Sequence, residues 1–165
     1  MLTESRVLDG KTAVVTEGAR DAGAAVERVN GLLNLSNVRM KLADREEGPG
    51  LSQGQIDVME REYCKFLALQ ITYPDATIVP CTMVDQIWHR HILDTAAYRR
   101  DCDAIFGHFL DHYPYFGMRN DAEAEELNDA YAETVGLYRG AFGEPPADTW
   151  LSADPSRCRK PTCRR

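Results

Sequence analysis

Apolar side chains recur every three to four residues in two stretches of the chain, and this spacing predicts amphipathic helices. The first stretch contains Ile56, Met59, Tyr63, Phe66, Leu67 and Ile71. Ser52 and Gln55 precede it with capping-box spacing, and the helix should end before Pro74 because the residue before a proline avoids the α region. The second stretch contains Leu127, Tyr131, Val135, Tyr138 and Phe142. Asn120 and Glu123 form another capping-box pair before it.

A third helix is predicted over residues 82–106, opened by the pair Thr82 and Asp85 and ended at Gly107. At ~100° per residue, one broad stripe of this helix is apolar and should face the interior. We therefore expect the side chains on this stripe to be buried and those opposite to be exposed. The buried set includes His91, Tyr98 and Cys102, and the exposed set includes Arg90, Arg99 and Asp101.

The remaining segments are shorter or less regular. Residues 12–33 fit either a strand over TAVV or a helix weakened by glycines, and residues 44–50 read as a polar turn or linker. Residues 76–80 could be extended, and residues 108–112 could form a short helix ending at Pro114. The predicted architecture is a small all-α, orthogonal or bundle-like domain over residues 1–146. Three longer helices and several short ones compose it, with the histidine segment in the centre.

Residues 147–165 are predicted to form an irregular, basic and poorly packed tail that carries Cys158 and Cys163. The net charge of −7 argues against a general nucleic-acid surface. No apolar run is long enough for a membrane span, and the N-terminus lacks the apolar core of a signal peptide. We therefore expect a cytoplasmic protein that acts on a small molecule, if it has a substrate. Its oligomeric state is not readable from the sequence.

The most informative feature is that all four histidines lie between residues 89 and 112. His108 and His112 are four residues apart, the common arrangement for two metal ligands on one helix. With His91 and nearby carboxylates they make a nitrogen and oxygen donor set suited to Zn, Fe or Cu. We expect His91 and His112 to converge on one pocket after a sharp turn at Gly107. The candidate ligands are His91, His112, Asp111, His89, His108 and Asp94.

Three alternatives compete with a metal site. His91 could be a structural core histidine, and His89 with Asp85 could be an ordinary i, i+4 pair unless another segment covers that helix face. On a regular helix His89 and His91 point apart, so one ion could bind both only if the helix broke near residues 92–93. Cys81 precedes a helix N-terminus, where the dipole lowers a thiol pKa, so a thiol enzyme or sulfur carrier is the third reading.

The segment from Tyr63 to Gly117 resembles an uncharacterised family, the glycine-rich domain-containing-like proteins of bacteria and plants. The resemblance covers roughly residues 60–143. The matching positions are Asp85, Trp88, His89, His91, Asp94, Thr95, Tyr98, Cys102, Gly107, His112, Pro114 and Gly117. Asp111 stands where that family usually has a histidine, Cys81 where it often has serine, and the glycine-rich tail is missing. The resemblance implies a shared site on His89, His91 and His112, without a reaction.

Three functional classes follow from these patterns. The first is a metal-binding helical protein, with a metal-dependent oxidase or hydrolase of small-molecule metabolism as its enzymatic form. The second is a non-catalytic helical interaction module with structural histidines. The third is a thiol-based enzyme or sulfur carrier.

Overall fold

The computed structural model describes residues 10–150, with side chains described from residue 21 onward. These residues form helices and no strand, which confirms the all-α prediction. The helices are α1 (Gly10–Leu32), α2 (Ser36–Ala43), α3 (Gln53–Thr72), α4 (Thr82–Leu93), α5 (Thr95–Phe106) and α6 (Asp121–Phe142). None of them combines the length and apolar character that a membrane crossing requires.

Helix α3 forms as predicted and supplies the largest buried face. The Ser52 hydroxyl accepts from the Gln55 amide, and the Gln55 side chain accepts from the Ser52 amide, so the capping box is complete. The helix ends at Thr72, just before Pro74. Nine of its residues are buried, against four on α4 and five on α5, so the two helices of the histidine segment together bury as many residues as α3.

The chain is helical over residues 10–32, which decides between the strand and the helix predicted for residues 12–33. Helix α1 packs on α3 and α6, with Ala22, Ala25 and Val29 buried. Their small side chains allow close approach of the helices. Helix α2 was not predicted, because it is short and its apolar face consists of little more than Val38 and Leu42.

The single helix predicted over residues 82–106 is in fact two, and this prediction is corrected. Helix α4 ends at Leu93, and Asp94 then caps α5 by accepting from the Ala97 amide at 3.4 Å. The α4 helix also begins after Cys81 as its N-cap, so Thr82 is its first residue and not the predicted cap.

The break changes which side chains of α5 face inward. His91, Tyr98 and Cys102 are buried, as predicted, and Arg99 is exposed, as predicted. Asp101 is only 2 % exposed, so the prediction of an exposed Asp101 is wrong. The prediction rested on one uninterrupted helix, whose phase does not carry across Asp94. Arg90, also predicted to be exposed, is half-buried.

Residues 108–112 form no helix, contrary to prediction. Gly107 ends α5 in the left-handed conformation at φ 76°, and the chain then turns back over α4. The capping pair before α6 is only half formed. The Asn120 side chain accepts from the Glu123 amide, whereas the Glu123 carboxylate accepts from the Arg119 amide.

The predicted tail is packed at its beginning. Trp150 is 6 % exposed, and its indole N–H donates to the carboxylate of Glu62 at 2.9 Å. Tyr138 donates to the same carboxylate at 2.7 Å, and Lys65 pairs with it at 3.0 Å. This cluster ties the end of the described chain to α3 and α6. Residues 151–165, with Cys158 and Cys163, lie outside the described residues.

Candidate metal centre

Two of the site's side chains come from the outward face of α4. Asp85 and His89 are one helical turn apart, so they project from the same side of the helix. An isolated pair of this kind would be an ordinary surface contact. Here the segment after Gly107 crosses that face and places His112 against both side chains.

The three side chains meet closely. The Nε2 atoms of His89 and His112 lie 2.7 Å apart, and His112 Nε2 lies 2.9 Å from Asp85 Oδ1. His89 Nε2 lies 3.4 Å from the same oxygen. One donor atom from each residue therefore falls within 4.8 Å of the others, a spacing that could hold a metal ion. No other group of three or more His, Cys, Asp or Glu residues in the described part of the chain has its donor atoms this close together.

The protonation of the two imidazoles is restricted by their contact. Two N–H groups facing each other at 2.7 Å would repel, so at least one Nε2 presents a lone pair toward the other donor atoms. Burial lowers the pKa of His89, although the Asp85 carboxylate opposes this shift. A neutral imidazole is the form that binds a metal.

The site is set into the surface and remains open to solvent. The side chain of His89 is 39 % exposed, whereas those of His112 and Asp85 are 13 % and 15 % exposed. The His112 ring lies flat on the indole of Trp88, with centroids 4.2 Å apart and an angle of 9° between the planes. One side of the cluster is thus walled by an aromatic ring, and the His89 side faces outward.

His91 belongs to a different network, although it is only two residues from His89. Its Nδ1 lies 3.0 Å from the hydroxyl of Tyr63, and its Nε2 lies 3.1 Å from Asp101 Oδ2. Tyr63 is fully buried and His91 is 2 % exposed. Burial lowers the pKa of His91, against the opposing effect of Asp101. Both ring nitrogens are engaged on the inner face of α4, while His112 lies on the outer face.

The structure therefore brings together His89 and His112 of the predicted ligands, and it does not bring the others to them. Asp94 caps α5 and accepts from the Asn37 side chain at 3.0 Å. Asp111 is exposed. His108 is exposed beside Phe106, where it lines a separate surface cleft. The helix does break near residues 92–93, yet the break does not unite His89 with His91.

Asp85 is the member of the cluster that the predicted ligand set omitted. Its i, i+4 spacing from His89 was visible in the sequence, but it read equally well as an ordinary helix-surface pair. The feature that decides between the two readings is the path of residues 107–112. Only that path shows that a third donor covers the same helix face.

The three cysteines within the described part of the chain do not have the properties of reactive thiols. Cys64, Cys81 and Cys102 are all buried and free. Burial raises the pKa of Cys81 to about 11, so the expectation of a lowered thiol pKa is wrong. Hydrogen bonds from the backbone of Met83 and Val84 at the start of α4 do act to lower this pKa, but the loss of solvation outweighs them. Burial likewise raises the pKa of Cys64 to about 12 and that of Cys102 above its ordinary value.

A family model described as UCP032817-like matches residues 34–132. The chain belongs to this family. The family is uncharacterised, and the matched region runs from α2 into α6, so it contains Asp85, His89 and His112 as well as Tyr63, His91 and Asp101. Trp150 lies outside it. No curated protein and no solved structure matches the chain.

Proposed function

We propose that this member of the UCP032817-like family binds a transition-metal ion through Asp85, His89 and His112. The observation that carries the proposal is the approach of three donor atoms to within 4.8 Å of one another. Two imidazole nitrogens and one carboxylate oxygen form a donor set that suits Zn, Fe or Cu. The His89–His112 contact supports it, because it brings the Nε2 atoms of two imidazoles together beside a carboxylate oxygen.

The finer proposal is that the site is catalytic and acts on a small molecule. Three protein ligands leave coordination positions free for water or substrate, as in catalytic rather than structural zinc sites. A metal bound in this way would lower the pKa of a bound water or polarise a substrate oxygen. The partial exposure of His89 leaves a path to the site from solvent. This scheme corresponds to a hydrolase or an oxidase, and we place it in the cytoplasm.

The resemblance to the glycine-rich domain-containing-like proteins supports the same group of residues. Asp85, His89 and His112 are all among the matching positions. So are Trp88, which stacks on His112, and Tyr98, which donates to the Leu110 carbonyl. His91 matches as well, but its contacts favour a structural role. The shared pattern thus combines an outer cluster that suits a metal with an inner network that holds helices together.

A helical interaction module with structural histidines is the competing function. It is favoured by the hydrogen bond from His112 to Asp85, which fastens the 107–112 segment to α4 without any metal. The two functions differ in their response to metal ions. A structural cluster would gain no affinity for a metal beyond that of an exposed histidine.

Metal content and affinity test the proposal. The full chain would be produced with a tag that contains no histidine and analysed for metals by mass spectrometry. The metal-free protein would then be titrated with Zn²⁺ and Co²⁺ by calorimetry. We expect one site per chain, with D85A and H112A weakening it by about tenfold or more. H108A is the matched control because His108 is exposed and outside the cluster.

Either of two results would overturn the proposal. If wild type takes up no stoichiometric Zn²⁺ or Co²⁺, or if H108A loses affinity as strongly as H112A, the cluster is not a metal site. Circular dichroism of each variant separates loss of a ligand from loss of the fold. Retained helical content with lost affinity identifies a ligand.

A further inference from the structure

The segment that carries His112 is attached to the core through the peptide groups of Leu110. The hydroxyl of Tyr98 donates to the Leu110 carbonyl at 2.6 Å. The Leu110 amide is directed at the thiol of Cys102. Residues 108–112 belong to no helix, and their peptide groups form no hydrogen bond with another peptide group of the described chain. The backbone of this irregular segment is therefore held by side chains of α5, in addition to the contacts that His112 makes with α4.

The Tyr98 hydroxyl is also bonded on its other side. The indole N–H of Trp88 donates to it at 2.9 Å, and the indole ring of Trp88 is the surface on which His112 stacks. One phenolic oxygen thus fixes both the ring beneath His112 and the backbone two residues before it. The position of the His112 imidazole is set from two directions by a single buried hydroxyl.

We propose that Tyr98 is a positioning residue, whose hydroxyl holds the His112 imidazole against Asp85 and His89. In its consequence for metal affinity, this inference rests on the proposed metal site. The placement of His112 itself does not depend on a metal. Burial raises the pKa of Tyr98, so the phenol keeps its proton and can donate to Leu110 throughout the neutral range.

The hydroxyl can be removed without removing the packing. The Tyr98 ring packs edge-on against His91 and against Phe109, and a phenylalanine at position 98 retains both contacts. Y98F therefore isolates the contacts of the hydroxyl, which are those with Trp88, Leu110 and the Cys102 thiol. Y63F is the matched control: Tyr63 is also a buried tyrosine bonded to a histidine, but its hydroxyl contacts His91 and not the 107–112 segment.

The first measurement uses metal-free protein. The ¹⁵N and ¹H resonances of the His112 and His89 imidazoles would be compared in wild type, Y98F and Y63F. We expect Y98F to shift the His112 resonances and to reduce the contact between the two rings, whereas Y63F shifts those of His91 alone. Unchanged His112 resonances in Y98F would overturn the proposal, whether or not the protein binds a metal.

The second measurement uses Co²⁺, whose absorption spectrum reports ligand geometry. We expect Y98F to lower Co²⁺ affinity about tenfold and to alter the spectrum, as loss of an outer-shell partner does, with Y63F close to wild type. Equal losses in Y98F and Y63F would overturn the proposal. If wild type binds no Co²⁺, the metal function fails, and the metal-free resonances still decide the role of Tyr98. Should Y98F fail to fold, hydrogen exchange of the Trp88 indole N–H in wild type is the second test, because this N–H donates to the Tyr98 hydroxyl. Exchange as fast as in urea would then count against the proposal.

Discussion

The hydroxyl of Tyr63 lies 3.0 Å from Nδ1 of His91, and both side chains are almost completely buried. Since the opposite nitrogen of His91 contacts Asp101, one imidazole joins α3, α4 and α5. The Asp101 carboxylate also meets the guanidinium of Arg100 at 3.2 Å and the amide of Asn34 at 3.5 Å. No member of this network is left without a partner.

The first prediction is that H91A destabilises the protein without removing the metal site. The substitution leaves the Tyr63 hydroxyl and the Asp101 carboxylate buried without their shared partner, which should cost about 3 kcal/mol in the free energy of unfolding. Urea denaturation measures the loss. H108A should change stability by less than about 0.5 kcal/mol, since it alters an exposed side chain. If H91A were as stable as H108A, the network would not hold the helices together.

The second prediction concerns Trp150. W150A should lower the free energy of unfolding by about 3–5 kcal/mol, because it removes a large buried ring and leaves Glu62 short of a donor. Deletion of residues 153–165 should have little effect, because that charged, proline-containing stretch offers little apolar area to bury. Thermal denaturation of the two forms makes the comparison. An equal fall in melting temperature would show that the terminal residues, and not Trp150 alone, support the fold.

A third prediction compares two glycines with similar φ angles. Gly107 and Gly117 both have positive φ, at 76° and 80°. A Cβ at position 117 would lie 2.6 Å from Leu127 Cδ2, whereas a Cβ at position 107 would meet nothing within 4 Å. G107A should cost about 1–2 kcal/mol from backbone strain, and G117A more, by the overpacking of Leu127. Chemical denaturation that ranked the two in the opposite order would contradict this account.

The fourth prediction is that the buried thiols react slowly. In a C158S/C163S background, the remaining cysteines should be labelled by a maleimide at pH 7.5 at least about tenfold more slowly in the native protein than in urea. Burial raises the pKa of all three, so the thiolate fraction is small at this pH. Fast native labelling of Cys81, identified by peptide mass spectrometry, would restore the thiol-enzyme reading.

The sequence predicts a helix well where nearby residues determine both its ends and its buried face. Helix α3 has a complete capping box, a regular apolar stripe and Pro74 to stop it, and it forms as predicted. The break at Asp94 was missed because the apolar spacing continues on both sides of it. Its local signal is that an aspartate in this position can cap a following helix.

The site depended on contacts that are remote in sequence. Asp85 and His89 could be paired from their spacing alone, but His112 joins them only because Tyr98 and Cys102 hold the Leu110 peptide in place. The partners of His91 lie 28 and 10 residues away along the chain. The concentration of histidines indicated a site, but tertiary hydrogen bonds place His89 and His112 in one network and His91 in another, with His108 in neither.

Helix α4 places His89 and His91 on opposite faces, so we expect these two residues, only two positions apart, to be under different selective pressures. A relative that lost the outer cluster could exchange Asp85, His89 and His112 together and still keep an intact interior. A relative that lost His91 would need compensating changes at Tyr63 and Asp101 to keep a stable fold. Across the family, we therefore expect these two sets of residues to be inherited as separate units.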